Sequence, residues 1–327
     1  MNKKIFFLLE ENGGYAKNID IQSGKYGIGI FVLDPSKNIE IFLPNSLLVN
    51  PSEIILNKYF ELKFKKNVKL NKIVNDFFNE YFFKYGFNRD AKNKIDIFYN
   101  KINNLSLPLK KYLNFYFGDL FFKKNFSNED YIRIYFNSRQ IKFDNNYYYM
   151  PIIELINHST EGVKYQFDKG LYIKGSFDNE VFTNYNKDYD AFEFFKNYHF
   201  FSPQQNALSC RLEVNFRNKK IMIERNSNQY KKVKNLKIPL SAIIKNNIFV
   251  SFIDLISIKK NNYYRKLMIQ MFINYGYDYD DANDFLNNLF NYNINLLNSI
   301  KKEAENEKSW FSLEIFKIAD NQIYLLN

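Results

Sequence analysis

The sequence predicts an α+β fold in which short strands come first, a helical stretch interrupts them, and helices close the chain. Three observations predict it. "YGIGIFVLD" (Tyr26–Asp34) and "IEIFLPNSLLVN" (Ile39–Asn50) read as strands ending in turns, one opened by glycine and one closed by proline. "NKIVNDFFNEYFFKYG" (Asn71–Gly86) instead places Ile73, Val74, Phe77, Phe78 and Tyr81 at helical spacing. Beyond residue 260 the pattern is helical again; Phe285, Leu289, Leu296 and Leu297 form a plausible buried stripe.

Taken in order, residues 3–11 read as a helix stopped by Gly13-Gly14. Helix dominates from Asn45 to Asn125, where "LPLKKYLNFYFGDLF" (Leu107–Phe121) adds a second helix behind its proline. Residues 126–210 return to short strands and turns with one helix, "DYDAFEFFKNYHF" (Asp188–Phe200). "LEVNFRNKKIMIERN" (Leu212–Asn226) reads as a hairpin turning at Arg217-Asn218. No internal repeat and no Pro- or Gly-rich linker is evident.

With 46% hydrophobic residues, 327 residues suffice for about two domains. The net charge of +11 would attract nucleic acid, an anionic membrane or an acidic protein. Yet the lysines are scattered without a run of five or six, which does not favour nucleic acid. Tyr, Phe, Asn, Lys and Ile share A/T-rich codons, so the aromatic excess carries little argument. A single cysteine, Cys210, excludes disulfide frameworks and Cys-rich zinc sites within one chain. The apolar stretch in "MNKKIFFLLEENGG" is five residues long and meets Glu10 and Glu11, so it reads as a helix rather than an export signal. "NIFVSFIDLISI" (Asn247–Ile258) is too short to span a bilayer and contains Asp254. A cytoplasmic, monomeric protein is the expectation.

Four motifs hold polar chemistry. Gly27 and Gly29 flank Ile28, but a strand follows where a dinucleotide fingerprint needs a helix. They mark either a strand bend or a place where backbone approaches a ligand. Arg139, in "NSRQI", carries a guanidinium suited to a carboxylate, although most such arginines face solvent. "PIIELINHSTEG" (Pro151–Gly162) sets Asn157 and His158 on an apolar run broken only by Glu154. Ser159 and His158 make a poor nucleophile–base pair, because adjacent strand residues point to opposite faces. Metal binding lacks a second ligand at suitable spacing. Finally, Tyr185 ends an alternating strand and Tyr198 lies near a helix end.

Together and in this order, the motifs resemble the SET-domain protein lysine methyltransferases, in the class typified by the Rubisco large-subunit methyltransferase. "LEENGGYAKNIDIQSGKYGIGIFVLDPSKNIEIFLPNSLLV" is similar to that family's opening. "NSRQIKFDNNYYYMPIIELINHS" resembles its Ser-Arg segment followed by acidic-x-x-Asn-His-Ser. "EVFTNYN" and "FFKNYHFF" resemble the strand ending in the catalytic tyrosine and the helix end that usually reads Tyr-Gly-Phe. Three positions depart from the pattern. Asp178-Asn179-Glu180 stands for Gly-Glu-Glu, Asn186 follows Tyr185 where Gly is usual, and His199 follows Tyr198 where Gly is usual.

The resemblance implies a SET domain of small β-sheets with a pseudoknot, split by a helical insert and followed by a mostly helical C-terminal domain. The implied segments are 1–50 and 126–210 for the SET domain, 51–125 for the insert, and 211–327 for a substrate-docking domain. It implies methyl transfer from S-adenosylmethionine to a lysine amine of a protein substrate, an acidic one suiting the basic chain. Gly27, Ile28, Gly29, Arg139, Asn157 and His158 would bind the cofactor. Tyr185 would be catalytic, and Glu154 and Tyr198 would line the lysine channel. No metal is implied, and the lone Cys210 leaves channel closure to Phe200, Phe201 and the C-terminal domain. The departures also allow a degenerate SET fold that binds without turnover, and the charge allows a nucleic-acid-binding protein.

Overall fold

The computed structural model describes residues 2–144, 146–234 and 236–327. The chain opens with α1 (Lys3–Glu11), β1 (Tyr15–Lys17), β2 (Ile19–Gly24), β3 (Gly27–Val32) and β4 (Ile39–Pro44). A short hairpin follows, β5 (Ile54–Leu56) and β6 (Leu62–Phe64), and then helices α2 (Lys72–Tyr85), α3 (Arg89–Asn103), α4 (Leu107–Phe117) and α5 (Asn128–Asn137). Next come β7 (Gln140–Phe143), β8 (Asn146–Tyr149), β9 (Asn157–Val163), β10 (Gln166–Phe167), β11 (Gly170–Gly175), β12 (Phe182–Thr183) and α6 (Ala191–Tyr198). The C-terminal part holds β13 (Leu212–Phe216), β14 (Lys219–Ile223), β15 (Tyr230–Val233), β16 (Leu236–Pro239), β17 (Ser241–Ile244) and β18 (Asn247–Val250). It ends with α7 (Leu255–Lys260), α8 (Asn262–Asn274), α9 (Tyr279–Glu307) and α10 (Trp310–Leu326). None of these helices is long and apolar enough to cross a membrane.

The chain forms two compact units, residues 1–98 with 125–185 and residues 99–124 with 186–327. The first is built of small sheets, as expected. One runs β1-β4-β11-β10, entirely antiparallel; β2 pairs with β3, and β12 pairs in parallel with β9. Alternation places Ile39, Ile41 and Leu43 of β4 in the core while the residues between them stay partly exposed. Asn71 caps α2 by accepting from the Val74 amide, and Val74, Phe77, Phe78 and Tyr81 are buried along its inner face. Ser127 and Asp130 form a reciprocal capping box that starts α5.

The second unit pairs β13-β14-β18-β17 in a mixed sheet against α8 and α9. Ile221, Ile223, Ile248 and Val250 meet Met268, Phe272, Phe285 and Leu289 in its core. Phe285, Leu289, Leu296 and Leu297 are buried along α9, as the periodicity predicts. Arg225 and Asp190 are almost wholly buried; Arg225 Nη2 donates to both carboxylate oxygens at 2.8 Å and Nη1 to the Leu208 and Ser209 carbonyls, and these extra hydrogen bonds make a buried pair tolerable. Cys210 is a buried free thiol, and burial pushes its pKa up to about 12.

Two expectations need revising. The insert does not begin as helix, since β5 and β6 occupy residues 54–64. The stretch 126–210 contains a further helix, α5, whose Asp130, Tyr131, Ile134, Tyr135 and Phe136 are buried. The C-terminal part is mostly helical, as expected, with α7 to α10 filling it from Leu255 onward after six strands. Residues 230–239 are rich in lysine, which hides the strand alternation of β15 and β16 from a simple apolar count.

Candidate active site

The predicted cofactor segments converge within the first unit. The β2–β3 hairpin turns through Lys25-Tyr26, and Gly27 leaves the turn with φ of 103°, a conformation that side chains rarely adopt. Ile28 beside it is exposed, whereas Gly29 is buried. On the other edge of β3, the Val32 amide donates to the Asn179 carbonyl (2.7 Å) and the Val181 amide to the Ile30 carbonyl (2.8 Å). Residues 182–183 continue beside β9, where the Thr183 hydroxyl donates to the Val163 carbonyl at 2.6 Å. The segment 179–183 is therefore clasped between two strands far apart in sequence, which is the crossing expected at this point.

At the crossing, the Asn157 side-chain amide donates to Glu180 Oε1 at 2.6 Å. A Cβ added to Gly29 would stand 2.6 Å from that same oxygen and 2.8 Å from Asn157 Nδ2. Glycine thus leaves the space in which this pair lies. One residue on, His158 Nδ1 accepts from the Tyr185 amide at 3.2 Å, and the two rings lie 5.1 Å apart. That bond requires an unprotonated Nδ1. Burial agrees with it, lowering the imidazole to about 4. Tyr185 donates its hydroxyl to the Ile156 carbonyl at 2.8 Å. Burial raises the phenol above its usual range, so it stays protonated. With its proton committed, Tyr185 Oη offers lone pairs to whatever lies beside it.

Arg139 sits just past the C-terminus of α5. Its Nε bonds Glu154 Oε2 at 2.9 Å, and its Nη1 donates to Ser138 Oγ (2.7 Å) and the Tyr135 carbonyl (3.3 Å). The guanidinium lies 4.2 Å from the centre of the Tyr135 ring. Among the described residues Nη2 has no partner, and 36% of the side chain remains exposed. The arginine is fixed on three sides and open on one. Tyr185 lies within electrostatic reach of Arg139, Glu154 and Glu180, so the two clusters are neighbours.

Glu154 differs from the expectation of a residue near a channel mouth. Its side chain is only 1% exposed. Oε1 accepts from the Tyr149 hydroxyl (2.8 Å) and the Tyr81 hydroxyl (3.0 Å), while Oε2 meets Arg139. Tyr81 in turn accepts from the Ile152 amide at 2.9 Å. Ile152 has φ of 67°, a strained conformation for a β-branched residue, and this hydrogen bond helps to hold it. Burial raises the Glu154 carboxyl, while Arg139 and the two tyrosines pull the other way. The residue anchors Arg139 rather than facing a ligand.

Tyr198 belongs to the second unit, at the last position of α6, with its ring 4.6 Å from Phe194 and 6.5 Å from Tyr189. The next residue, His199, takes the left-handed conformation that ends helices (φ 66°), its amide donating to the Phe195 carbonyl at 2.9 Å. Histidine therefore occupies a glycine-favouring position without losing the cap. Sequence reasoning did not give Glu180 a role, nor Tyr81, Tyr135 and Tyr149. Glu180 ends Asp178-Asn179-Glu180, and only the structure shows it facing Asn157. Among the described residues no group of three or more His, Cys, Asp or Glu could hold a metal.

No protein-family model and no curated protein matches the sequence. Among solved structures, the chain is similar to Rubisco LSMT bound to AdoMet, with 12% identity over 99% of this chain and 89% of that one, at a TM-score of 0.47. It is also similar to the SET domain of LSMT bound to lysine and AdoHcy, with 11% identity over 99% and 88% of the two chains, at a TM-score of 0.42. At so low an identity, function has to be read from the residues themselves.

Proposed function

We propose that this protein transfers a methyl group from S-adenosylmethionine to the side-chain amine of a lysine in a protein substrate. The observation that carries the reading is the convergence of Gly29, Asn157, His158, Glu180 and Tyr185 at one crossing beside Arg139. The residues fit the cofactor. Arg139 holds one open guanidinium corner for a carboxylate. Asn157 spends its amide N–H on Glu180, which leaves its oxygen to accept from an ammonium. Gly27 and Gly29 let backbone approach closely. The Glu180 carboxylate at the crossing favours a cationic ligand over a neutral one. When bound, the sulfonium supplies an electrophilic methyl group.

The remaining work falls to the chain itself. A free lysine has a pKa near 10.4, so presenting it neutral at pH 7 costs about 4.6 kcal/mol. His158 is too weak a base to help, and its Nδ1 is already occupied. The amine must lose its proton to solvent, and a nearby cation and a dry channel favour that loss. Tyr185, pinned to the Ile156 carbonyl, orients the reacting groups and contributes mainly through positioning. Tyr198 is assigned to the lysine channel, and residues 211–327 to substrate docking. The protein is assigned to the cytoplasm as a monomer.

The test is incubation of a proteome with the protein and isotopically labelled S-adenosylmethionine, followed by mass spectrometry. Methyl-lysine should be found, and Tyr185→Phe should reduce its formation about 100-fold or more, equivalent to about 2.7 kcal/mol of barrier. The lost hydroxyl–carbonyl bond should lower stability by only about 1 kcal/mol. Cofactor binding by calorimetry without any methylated product would instead establish a degenerate binding protein.

A further inference from the structure

In the second unit, β17 forms one edge of the sheet β13-β14-β18-β17. It turns into β18 through Lys245 and Asn246, both with positive φ (47° and 67°), the signature of a two-residue hairpin loop. Ile244 and Asn247 close that loop as a hydrogen-bonded pair, so along β17 the amide and carbonyl of Ile243 point away from β18. Ala242, Ile243 and Ile244 are exposed in succession, Ile243 at 47% and Ile244 at 55%. Ile243 lies opposite Ile248, which is fully buried, so its side chain continues the core face of the sheet into solvent. An open edge carrying apolar residues is a template for another strand.

The charge of the segment that carries this edge selects the strand. From Asn226 to Ile253 the sequence contains five lysines and neither Asp nor Glu. Lys237 is engaged by Asp188. Lys231, Lys232 and Lys234, on or beside the β15–β16 hairpin, and Lys245, at the β17–β18 turn, are exposed. None of these four meets a carboxylate among the described residues. We infer that β17 is a docking edge for an extended, acidic segment of a partner protein. That segment adds as a fifth strand through its backbone, with the lysines reading its carboxylates. This edge lies in the segment assigned to substrate docking and so rests on that reading for its role, but its test does not involve turnover and can fail or succeed separately from methyl transfer.

The experiment uses the full chain and a fluorescein-labelled ten-residue peptide alternating Glu with Val and Thr, followed by fluorescence anisotropy. The acidic peptide should bind, and a peptide with Lys in place of Glu should bind at least about tenfold more weakly. N-methylation at alternate residues should abolish binding in one register and leave it nearly unchanged in the other. A second copy of the chain or a polyanion surface would not produce that alternation. Ile243→Pro removes an outward amide that the ladder does not use, and it should eliminate binding while circular dichroism stays unchanged. Lys231→Glu/Lys232→Glu should weaken binding about tenfold and flatten its salt dependence without touching the edge. Four results would overturn the inference: no binding at millimolar peptide; equal loss from both N-methylation registers; full competition by duplex DNA; or dimerisation through this edge in sedimentation without peptide.

Discussion

Removing the Glu154 carboxylate tests whether Arg139 is held in place from behind. In Glu154→Ala, two tyrosine hydroxyls lose their acceptor at a point where Tyr81 and Tyr149 are both fully buried. Each stranded hydroxyl costs about 1–3 kcal/mol. Arg139 loses its Nε partner, but a third of its side chain meets water, so that loss adds only about 1 kcal/mol. Against this, a buried carboxylate no longer needs desolvating, a return of several kcal/mol that fits its raised pKa. The net expectation is a destabilisation of about 2–4 kcal/mol, a large fraction of the 5–15 kcal/mol typical of a folded chain. Glu154→Gln keeps an oxygen for the two hydroxyls and turns its amide toward Arg139, so it should cost only about 1 kcal/mol. It should nevertheless weaken S-adenosylmethionine binding, because the guanidinium loses one of its three fixings. Urea unfolding gives the stabilities and titration calorimetry gives the affinities. The reasoning fails if Gln destabilises as much as Ala, or if Ala unfolds within about 0.5 kcal/mol of the parent.

Gly29→Ala should displace Glu180 and Asn157 and break their 2.6 Å bond, lowering cofactor affinity about tenfold or more while urea unfolding shifts by no more than about 1–3 kcal/mol; unchanged affinity would show that the pair is not part of the site. His158, lowered to about 4 from an unfolded value near 6.5, binds fewer protons folded than unfolded in that window, so its contribution to stability should fall as pH drops from 6.5 to 4. Unfolding midpoints across this range should lose that slope in His158→Gln. Glu193 should act with the opposite sign. Burial raises it to about 7, and its Oε2 lacks a partner among the described residues, so stability should fall as pH rises from about 4.5 to 7; Glu193→Gln should flatten that limb.

Much of the first unit was legible because its signals are local. Gly13-Gly14 after an apolar helix, Gly-x-Gly before a strand and alternating Ile-x-Ile-x-Leu each act within a few residues, and each produced the expected element. Helix α5 escaped because its polar surface dilutes the apolar count, although Ser127-x-x-Asp130 is a start signal readable beforehand. Strands β15 and β16 escaped for another reason: in this hairpin lysine stands at 231, 232 and 237, in place of the apolar residues that would mark alternation. The site residues were found as separate motifs. Their partners were not, because a bond such as Asn157–Glu180 joins positions 23 residues apart and leaves no periodic trace.

Glu154 shows how the two kinds of information differ. From sequence it is an acid on an apolar run four residues before a histidine, and an acid in that setting suggests a role toward a ligand. In the structure, its isolation is what makes the arginine usable. A guanidinium lacking Glu154 could swing through many rotamers, and ordering such a side chain on ligand binding costs about 0.5–1.5 kcal/mol. Three contacts made in advance by Glu154, Ser138 and the Tyr135 carbonyl remove that cost, leaving one corner presented. The same logic applies at Tyr185, whose proton is committed to Ile156 and whose amide is committed to His158. In both places the side chain that would face a ligand is fixed by bonds made before any ligand arrives. A site built this way loses affinity when its supports are altered, even where no ligand contact changes.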